Sequence, residues 1–274
     1  MDLAVAPRLA STWGEPALFL SLIASLAISL AACLFSVPIW VIAFVFVLSV
    51  FVITTGVAVP TSGVFARPIV AAETTRPEIA LTFDDGPDPI HTPPILDLLE
   101  SRGHRATFFV IGNRAARQPA LLADMARRGH ELANHSYAHA YTTPFLSPAR
   151  LARELVQTNA ILEAASGQRP RWFRPPVGLL SPRVAAAAKL AQLSLVAWTA
   201  TARDGTARTN ATNAVERLSR KLTPGAILVL HDAAIRGDRT PIARATLSDL
   251  LDRLDEKKLR SVTLSELLAD SPGS

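Results

Sequence analysis

The 274-residue chain contains one cysteine, Cys33. A lone thiol excludes an internal disulfide framework and a cysteine-built metal site. Charge is scarce as well: 19% of residues are charged and 49% are hydrophobic, with a mean hydropathy of +0.27. That balance excludes a disordered chain and is unusual for a wholly water-facing one. Between Glu15 and Arg67 there is no Asp, Glu, Lys, Arg or His. The few charges upstream of residue 73 (Asp2, Arg8, Glu15, Arg67) cancel, so the formal +5 belongs to residues 73–274. There it is dispersed, which suits an anionic polymer or a membrane surface and gives no footprint for nucleic acid. No phosphate-cradling loop or dinucleotide fingerprint occurs, so no organic cofactor is expected.

The charge-free stretch holds two apolar runs, near 17–35 and 39–59, separated by Ser36-Val37-Pro38. A helix of about 20 residues rises roughly 30 Å, the thickness of a bilayer core. Pro38 lacks an amide hydrogen and fits a turn or kink. Residues 1–59 therefore read as a membrane region of one or two transmembrane helices. A cleaved secretory signal fits less well, because its apolar core is shorter. The flanking arginines are too few to orient the spans.

Residues 60–76 read as a linker, with Pro60, Ser62, Gly63 and Pro68 breaking any regular pattern. Beyond it, β-type runs (78–83, 105–111, 131–134, 171–174, 194–199, 226–230 and 260–263) alternate with helical stretches (94–102, 118–128, 147–165, 181–192, 210–222 and 241–257). Ser147-Pro148 and Ser181-Pro182 place serine at a helix N-cap and proline at its first turn. About seven β-α units predict an α/β fold, a distorted and nearly closed β/α barrel with a mostly parallel sheet, over residues 77–269.

The polar residues of interest fall where the apolar runs stop, the edge on which parallel α/β folds build sites. Asp84-Asp85-Gly86-Pro87 ends the first run; two adjacent carboxylates repel unless a cation or an arginine separates their roles. The same four residues also read as a plain turn. His135 and His139 follow the third run at a spacing that can share one metal. With Asp85 they form a two-histidine, one-carboxylate set, suited to zinc hydrolysis or non-haem iron. Arg174-Pro175-Pro176 ends the fourth run. Its arginine can hold a carboxylate ionised, and the two prolines leave Val177 as the next backbone amide. Asp204 follows the fifth run, and His231 the sixth, as either a satisfied core residue or a proton carrier. His91, His104 and His130 read as structural, and Arg236-Gly237-Asp238 as a loop charge cluster. Asn210-Ala211-Thr212 fits a glycosylation pattern and equally a helix start.

In order and spacing, Thr82-Phe83-Asp84-Asp85-Gly86-Pro87, His135-Ser136-x-x-His139, Arg174-Pro175-Pro176 and Leu230-His231 resemble the NodB-type polysaccharide deacetylases, carbohydrate esterase family four. The resemblance spans roughly residues 77–269. It implies that Asp84 is a general base and that Asp85, His135 and His139 hold one divalent metal, usually Zn2+. Arg174 would pair with the base, the Val177 amide would serve the oxyanion, His231 would be the acid, and Asp204 would orient it. Three positions depart from the family pattern. Val177 stands where tyrosine is usual, Gly205 where tryptophan commonly follows the aspartate, and Thr201 where many relatives carry aspartate or arginine.

The apolar runs and the resemblance together imply a membrane-anchored, metal-dependent hydrolase that removes N-acetyl groups from a glycan, and the resemblance places the domain outside the cytoplasm. An O-acetyl carbohydrate esterase on the same site, a metal-dependent oxygenase and an inactive glycan-binding module are the alternatives.

Overall fold

The computed structural model describes residues 38–204, 209–233 and 242–269, together with Ile23, Leu26, Ala27 and Leu30. The apolar run near 17–35 therefore lies almost wholly outside the described residues. The run near 39–59 is one helix, α1 (Ile39–Ala58), with a mean hydropathy of 2.6 in its most apolar window. Ile39, Trp40, Phe44, Phe46 and Phe51 on it are exposed, and Gly56 is its one buried residue.

Eight strands follow: β1 (Glu78–Asp84), β2 (Ala106–Val110), β3 (Glu131–Asn134), β4 (Trp172–Phe173), β5 (Ser194–Leu195), β6 (Ala200–Thr201), β7 (Ile227–His231) and β8 (Arg260–Ser261). Every ladder is parallel, and the order is β5-β4-β3-β2-β1-β7-β6, with β8 beside the start of β1. The sheet curls into a half-barrel, the distorted barrel expected from the β-α alternation. One run resolves differently. Residues 194–199 are not a single strand; only Ser194–Leu195 form β5, and β6 begins just past the run at Ala200, at the opposite end of the strand order.

Helices α2 (Thr92–Ser101), α3 (Gly112–Ala115), α4 (Pro119–Arg127), α5 (Pro148–Ser166), α6 (Pro182–Leu190), α7 (Ala211–Ser219), α8 (Ala243–Glu256) and α9 (Leu264–Leu267) alternate with the strands. Their starts follow from local chemistry. Ser147 and Ser181 accept bonds from Arg150 N and Val184 N ahead of a first-turn proline. Thr263 and Glu266 form a reciprocal capping box. Such a cap stabilises a helix by about 1 kcal/mol.

Strands β1 and β2 are buried along their length because a parallel sheet is covered on both faces. Phe83 stacks on Phe108 with ring centroids 4.9 Å apart. Ile79, Leu81, Leu96, Leu99, Leu228 and Leu230 complete the centre of the core, and burying each such side chain stabilises the fold by about 1.5–3 kcal/mol. The apolar interior fixes the strands, and so fixes what their carboxyl-terminal ends present.

Residues 60–76, expected to be a linker, make many contacts with the domain. Phe65 is buried, and Ala66 packs on the cluster around Leu151, Leu180 and Val184. Ile69 bonds Leu195 O and Ala197 N beside β5, and Ala72 N bonds Gly225 O ahead of β7. Ala72 O lies so close to Gly225 that a β-carbon there would fall 2.1 Å from it.

Candidate active site

Asp84 is the last residue of β1 and stands opposite His231, the last of β7, in the parallel ladder. His135 immediately follows β3, and Arg174 immediately follows β4. Four segments distant in sequence therefore deliver their polar side chains to one edge of the sheet.

Arg174 is fully buried. Its Nη1 donates to Asp84 Oδ1 at 2.6 Å and Thr82 Oγ1 at 2.9 Å, and its Nη2 to Ala197 O at 2.9 Å. The guanidinium sits over Phe109, with Cζ 3.9 Å from the ring centroid. Burial pushes its pKa down, and the Asp84 carboxylate opposes that shift. Such a pair is held together by mutual need: either charge left alone in the interior is costly.

On the other side of Asp85, three ligand-type atoms converge within 4.8 Å of one another, from Asp85, His135 and His139. Asp85 Oδ1 is 3.3 Å from His135 Nε2 and 3.2 Å from His139 Nε2, and among the described residues it accepts no well-formed hydrogen bond. His135 Nδ1 lies 2.8 Å from Arg174 O. A carbonyl oxygen only accepts, so Nδ1 carries a proton there, and Nε2 is the ring atom that faces Asp85. Burial, then the proximity of the His135 imidazole, pushes the His139 imidazole down to about 4, so it is neutral at pH 7. Burial opposes ionisation of Asp85, but the surrounding imidazoles, His135 first, more than offset it and hold the carboxyl below its ordinary value. An ionised carboxylate and neutral imidazoles are the protonation states that ligate a cation. Three buried lone pairs facing one another fit a divalent metal with open positions.

His231 faces the same centre, with Nε2 4.0 Å from Asp85 Oδ2. Asp204 grips it twice: Oδ1 is 2.6 Å from the ring Nδ1, and Oδ2 accepts the His231 amide at 2.9 Å. Burial disfavours the charged ring, but the bond and charge of Asp204, reinforced by Asp85 and Asp84, push it up to about 9. The ring is thus a proton donor at neutral pH, aimed by a carboxylate behind it.

Val177 lies in a tight turn, Pro176–Gly178, with φ 57° and half its surface exposed. A β-branched residue at positive φ is a genuine backbone outlier. Asp85, Ser136, His139, Val177 and Arg203 make up five of the seven non-glycine residues with positive φ among the described residues, and all border this site. Strain concentrated at one edge is held there by the surrounding bonds.

Several of those bonds come from residues that the sequence reading passed over. Asn134 Nδ2 donates to Leu155 O and Asn159 Oδ1, while its Oδ1 accepts the Ser136 amide, fixing the histidine turn. Ser136 Oγ accepts the His139 amide at 3.1 Å. Asp232 is fully buried, accepts a 2.6 Å bond from Thr92 Oγ1, and lies against Gly86. Burial pushes its carboxyl up to about 7; the Thr92 bond opposes the shift, and Asp85 and Asp84 add to it. The available signal was a polar residue beside each named histidine, at the end of an apolar strand.

The remaining polar positions take local roles. His130 Nδ1 accepts the Ala106 amide at 3.2 Å and His104 Nδ1 the Ser261 amide at 3.0 Å, as structural histidines do. His91 precedes α2 as its N-cap. Asn210 caps α7 through Asn213 N, the helix-start reading of that triplet. Thr201 Oγ1 accepts the Arg203 amide. Gly205 and Arg236-Gly237-Asp238 lie outside the described residues.

With this geometry in place, similarity to known proteins is informative. A sequence profile of the polysaccharide deacetylase family matches residues 71–196. The chain is 37% identical over 192 residues to a peptidoglycan-N-acetylglucosamine deacetylase of Bacillus cereus, covering 69% of this chain and 87% of the relative. It is 38% identical over 175 residues to a chitooligosaccharide deacetylase of a Bradyrhizobium strain, covering 62% and 78%. A family 4 acetyl xylan esterase from Clostridium thermocellum, solved with a cobalt ion, superposes with a TM-score of 0.63 at 31% identity, covering 69% of this chain and 89% of that one. The chain belongs to the polysaccharide deacetylase family and is a hydrolase of carbon–nitrogen bonds in N-acetyl groups.

Proposed function

We propose that the protein is a membrane-anchored, metal-dependent deacetylase that hydrolyses N-acetyl groups of a glycan to free amine and acetate. The observation that carries this reading is the meeting, at one strand edge, of the Asp85–His135–His139 cluster with the Asp84–Arg174 and Asp204–His231 pairs. Asp85, His135 and His139 would hold one divalent cation, zinc in this reading, which when bound supplies Lewis acidity and a water of lowered pKa.

The chain's own residues then divide the proton work. Asp84, held by Arg174, takes the proton from the attacking water. The Val177 amide donates to the oxygen that becomes negative as the tetrahedral centre forms. His231, oriented by Asp204, gives its proton to the leaving amine. Thr82 and Ala197 keep Arg174 in place, so that Asp84 does not reorganise as charge moves. The membrane part rests on α1, which is 20 residues long, uncharged and exposed almost throughout; a surface of that kind is not stable against water. The usual cell-envelope substrates of the family favour a domain outside the cytoplasm.

Acetate release by the full chain from N-acetylated oligosaccharides tests the activity. It should disappear with chelator and return with added zinc; release that persists in chelator, in protein shown to be metal-free, would end the metal reading. The similarity to an acetyl xylan esterase keeps O-deacetylation as a second reading. Faster release from O-acetylated xylan than from N-acetylated sugars would favour it.

A further inference from the structure

The end of α1 is built into the candidate active site. Leu180 N donates to Val57 O at 3.0 Å, capping a carbonyl that the helix end would otherwise leave without a partner. Phe65 folds back over Gly56, where an added β-carbon would fall 2.5 Å from the ring. Pro60, two residues past the helix, lies against Gly178, and a β-carbon there would meet Pro60 Cγ at 3.1 Å. The same face of Gly178 touches Trp198, whose ring lies beside the Arg174 guanidinium. Gly178 directly follows Val177, one Cα step of about 3.8 Å, so the Val177 amide lies within about 10 Å of the end of the span.

The segment after the helix removes any slack. A free chain over residues 60–76 would reach about 55–60 Å when extended. Here Phe65, Ile69, Val70 and Ala72 are all bonded to or buried in the domain. The interfacial layer on each side of a bilayer is only about 5–8 Å deep. A site fixed about 10 Å from the end of a span therefore works at the headgroups and not at a polymer held far above them.

The surroundings agree. Phe145 is 74% exposed, and its carbonyl accepts from Arg183 Nη1. Its neighbour Pro144 accepts from Ser181 Oγ, next to the Leu180 that holds α1. An arginine stem can lie along an apolar boundary while its charge stays in the headgroups, and the exposed Phe145 ring adds apolar surface at the same level. Tyr141, half exposed, rims the histidine pair with its ring 6.5 Å from that of His139.

We infer that the docking of Val57 and Pro60 on the Val177–Leu180 turn dedicates this site to an N-acetylated sugar carried by a lipid of the same membrane. The inference rests on the deacetylase and anchoring readings above and narrows the substrate class. Cell-wall polymer and free oligosaccharide are the competing substrates.

The test uses the full chain reconstituted in phospholipid vesicles with zinc. Three probes are offered: an octadecyl glycoside of di-N-acetylchitobiose in the same vesicles, free di-N-acetylchitobiose at the same bulk concentration, and insoluble peptidoglycan. Confinement to one surface raises effective concentration, so acetate release from the glycolipid should exceed that from the free sugar by at least about tenfold. Moving the glycolipid to separate vesicles should abolish the gain. Equal rates on the glycolipid and the free sugar, or fastest release from peptidoglycan, would overturn the inference and leave the deacetylase reading standing. No acetate from any probe would overturn the deacetylase reading and this one with it. A second measurement needs no chemistry. In a Cys33→Ser background, a spin label at Phe145→Cys should meet lipid-dissolved oxygen more than an aqueous nickel chelate. A label at Lys257→Cys, before β8 on the opposite edge of the sheet, should do the reverse. Equal aqueous exposure at the two positions would overturn the inference.

Discussion

Removing both members of the Arg174–Asp84 pair should cost no more than removing the arginine alone. In Arg174→Met the Asp84 carboxylate loses its 2.6 Å partner and stays in the interior. Breaking a buried ion pair in this way costs about 3–5 kcal/mol. For a domain of this size that is a fall in Tm of roughly 6–20 °C. Asp84→Asn strands the guanidinium instead, which retains Thr82 Oγ1 and Ala197 O as acceptors, so its cost should fall at the lower end of that range. The double variant leaves neither charge behind. The bonds to Thr82 and Ala197 are lost both in Arg174→Met and in the double variant, so they cancel around the cycle, and the coupling isolates the contact with Asp84. That coupling should be on the order of 3 kcal/mol in the direction of mutual rescue. Thermal unfolding of the metal-free full chain in detergent, followed by circular dichroism, reads all four corners. Additive losses would refute the reasoning, because they would mean that the two charges do not compensate each other in the folded state.

The two neighbouring aspartates should separate by metal content: Asp85→Asn should lose zinc affinity, whereas Asp84→Asn should keep zinc and lose turnover by about 10²–10⁴; elemental analysis beside acetate assays checks both, and metal loss in Asp84→Asn with full occupancy in Asp85→Asn reverses the roles. His130 should make the fold acid-sensitive. Burial, then the charges of Arg128 and Arg105, push it down to about 4 from the ordinary 6.5. Its contribution is therefore complete above pH 6.5 and is lost as pH falls toward 4, by about 3 kcal/mol. His130→Asn keeps an acceptor for the Ala106 amide and should flatten the acid limb of a pH–stability curve; an unchanged limb refutes the assignment. Gly86→Ala would place a β-carbon 2.3 Å from Asp232 Oδ2. Overpacking of that kind costs about 1–3 kcal/mol, and because the loop carries Asp84 and Asp85, zinc affinity should fall along with Tm; a variant with native metal affinity would show that the loop has room to move.

Much of this was legible in the sequence, and for physical reasons. β1, β2 and β7 are continuous apolar runs because both faces of a parallel sheet are covered, and the residue that ends each run lands at the site edge. Serine followed by proline marked the starts of α5 and α6 because both residues act within one turn. The elements that resisted reading are those whose form depends on distant partners. Residues 194–199 look like one strand, but Val196 pairs with Ile69 while Thr199 N bonds Ile227 O, so the run is divided between two neighbours. Helix α3 is four residues long, too short for a period to show. Asp232 reads as the tail of the Leu-His pair; its contact with Thr92, 140 residues away, is invisible without the fold.

The contacts of residues 69–72 bear on how the chain can be shortened. A fragment beginning at residue 73 would be rid of α1, but it would also strip partners from Leu195 O, Ala197 N and Gly225 O. Phe65 and Ala72 would leave the interior with them. What remains has a bared β5 border with free amide and carbonyl groups, the kind of surface on which a second copy can lay a strand. Such a fragment would trade one route to precipitation for another. A fragment cut between Ala58 and Pro60 keeps the seal, and separates solubility from anchoring.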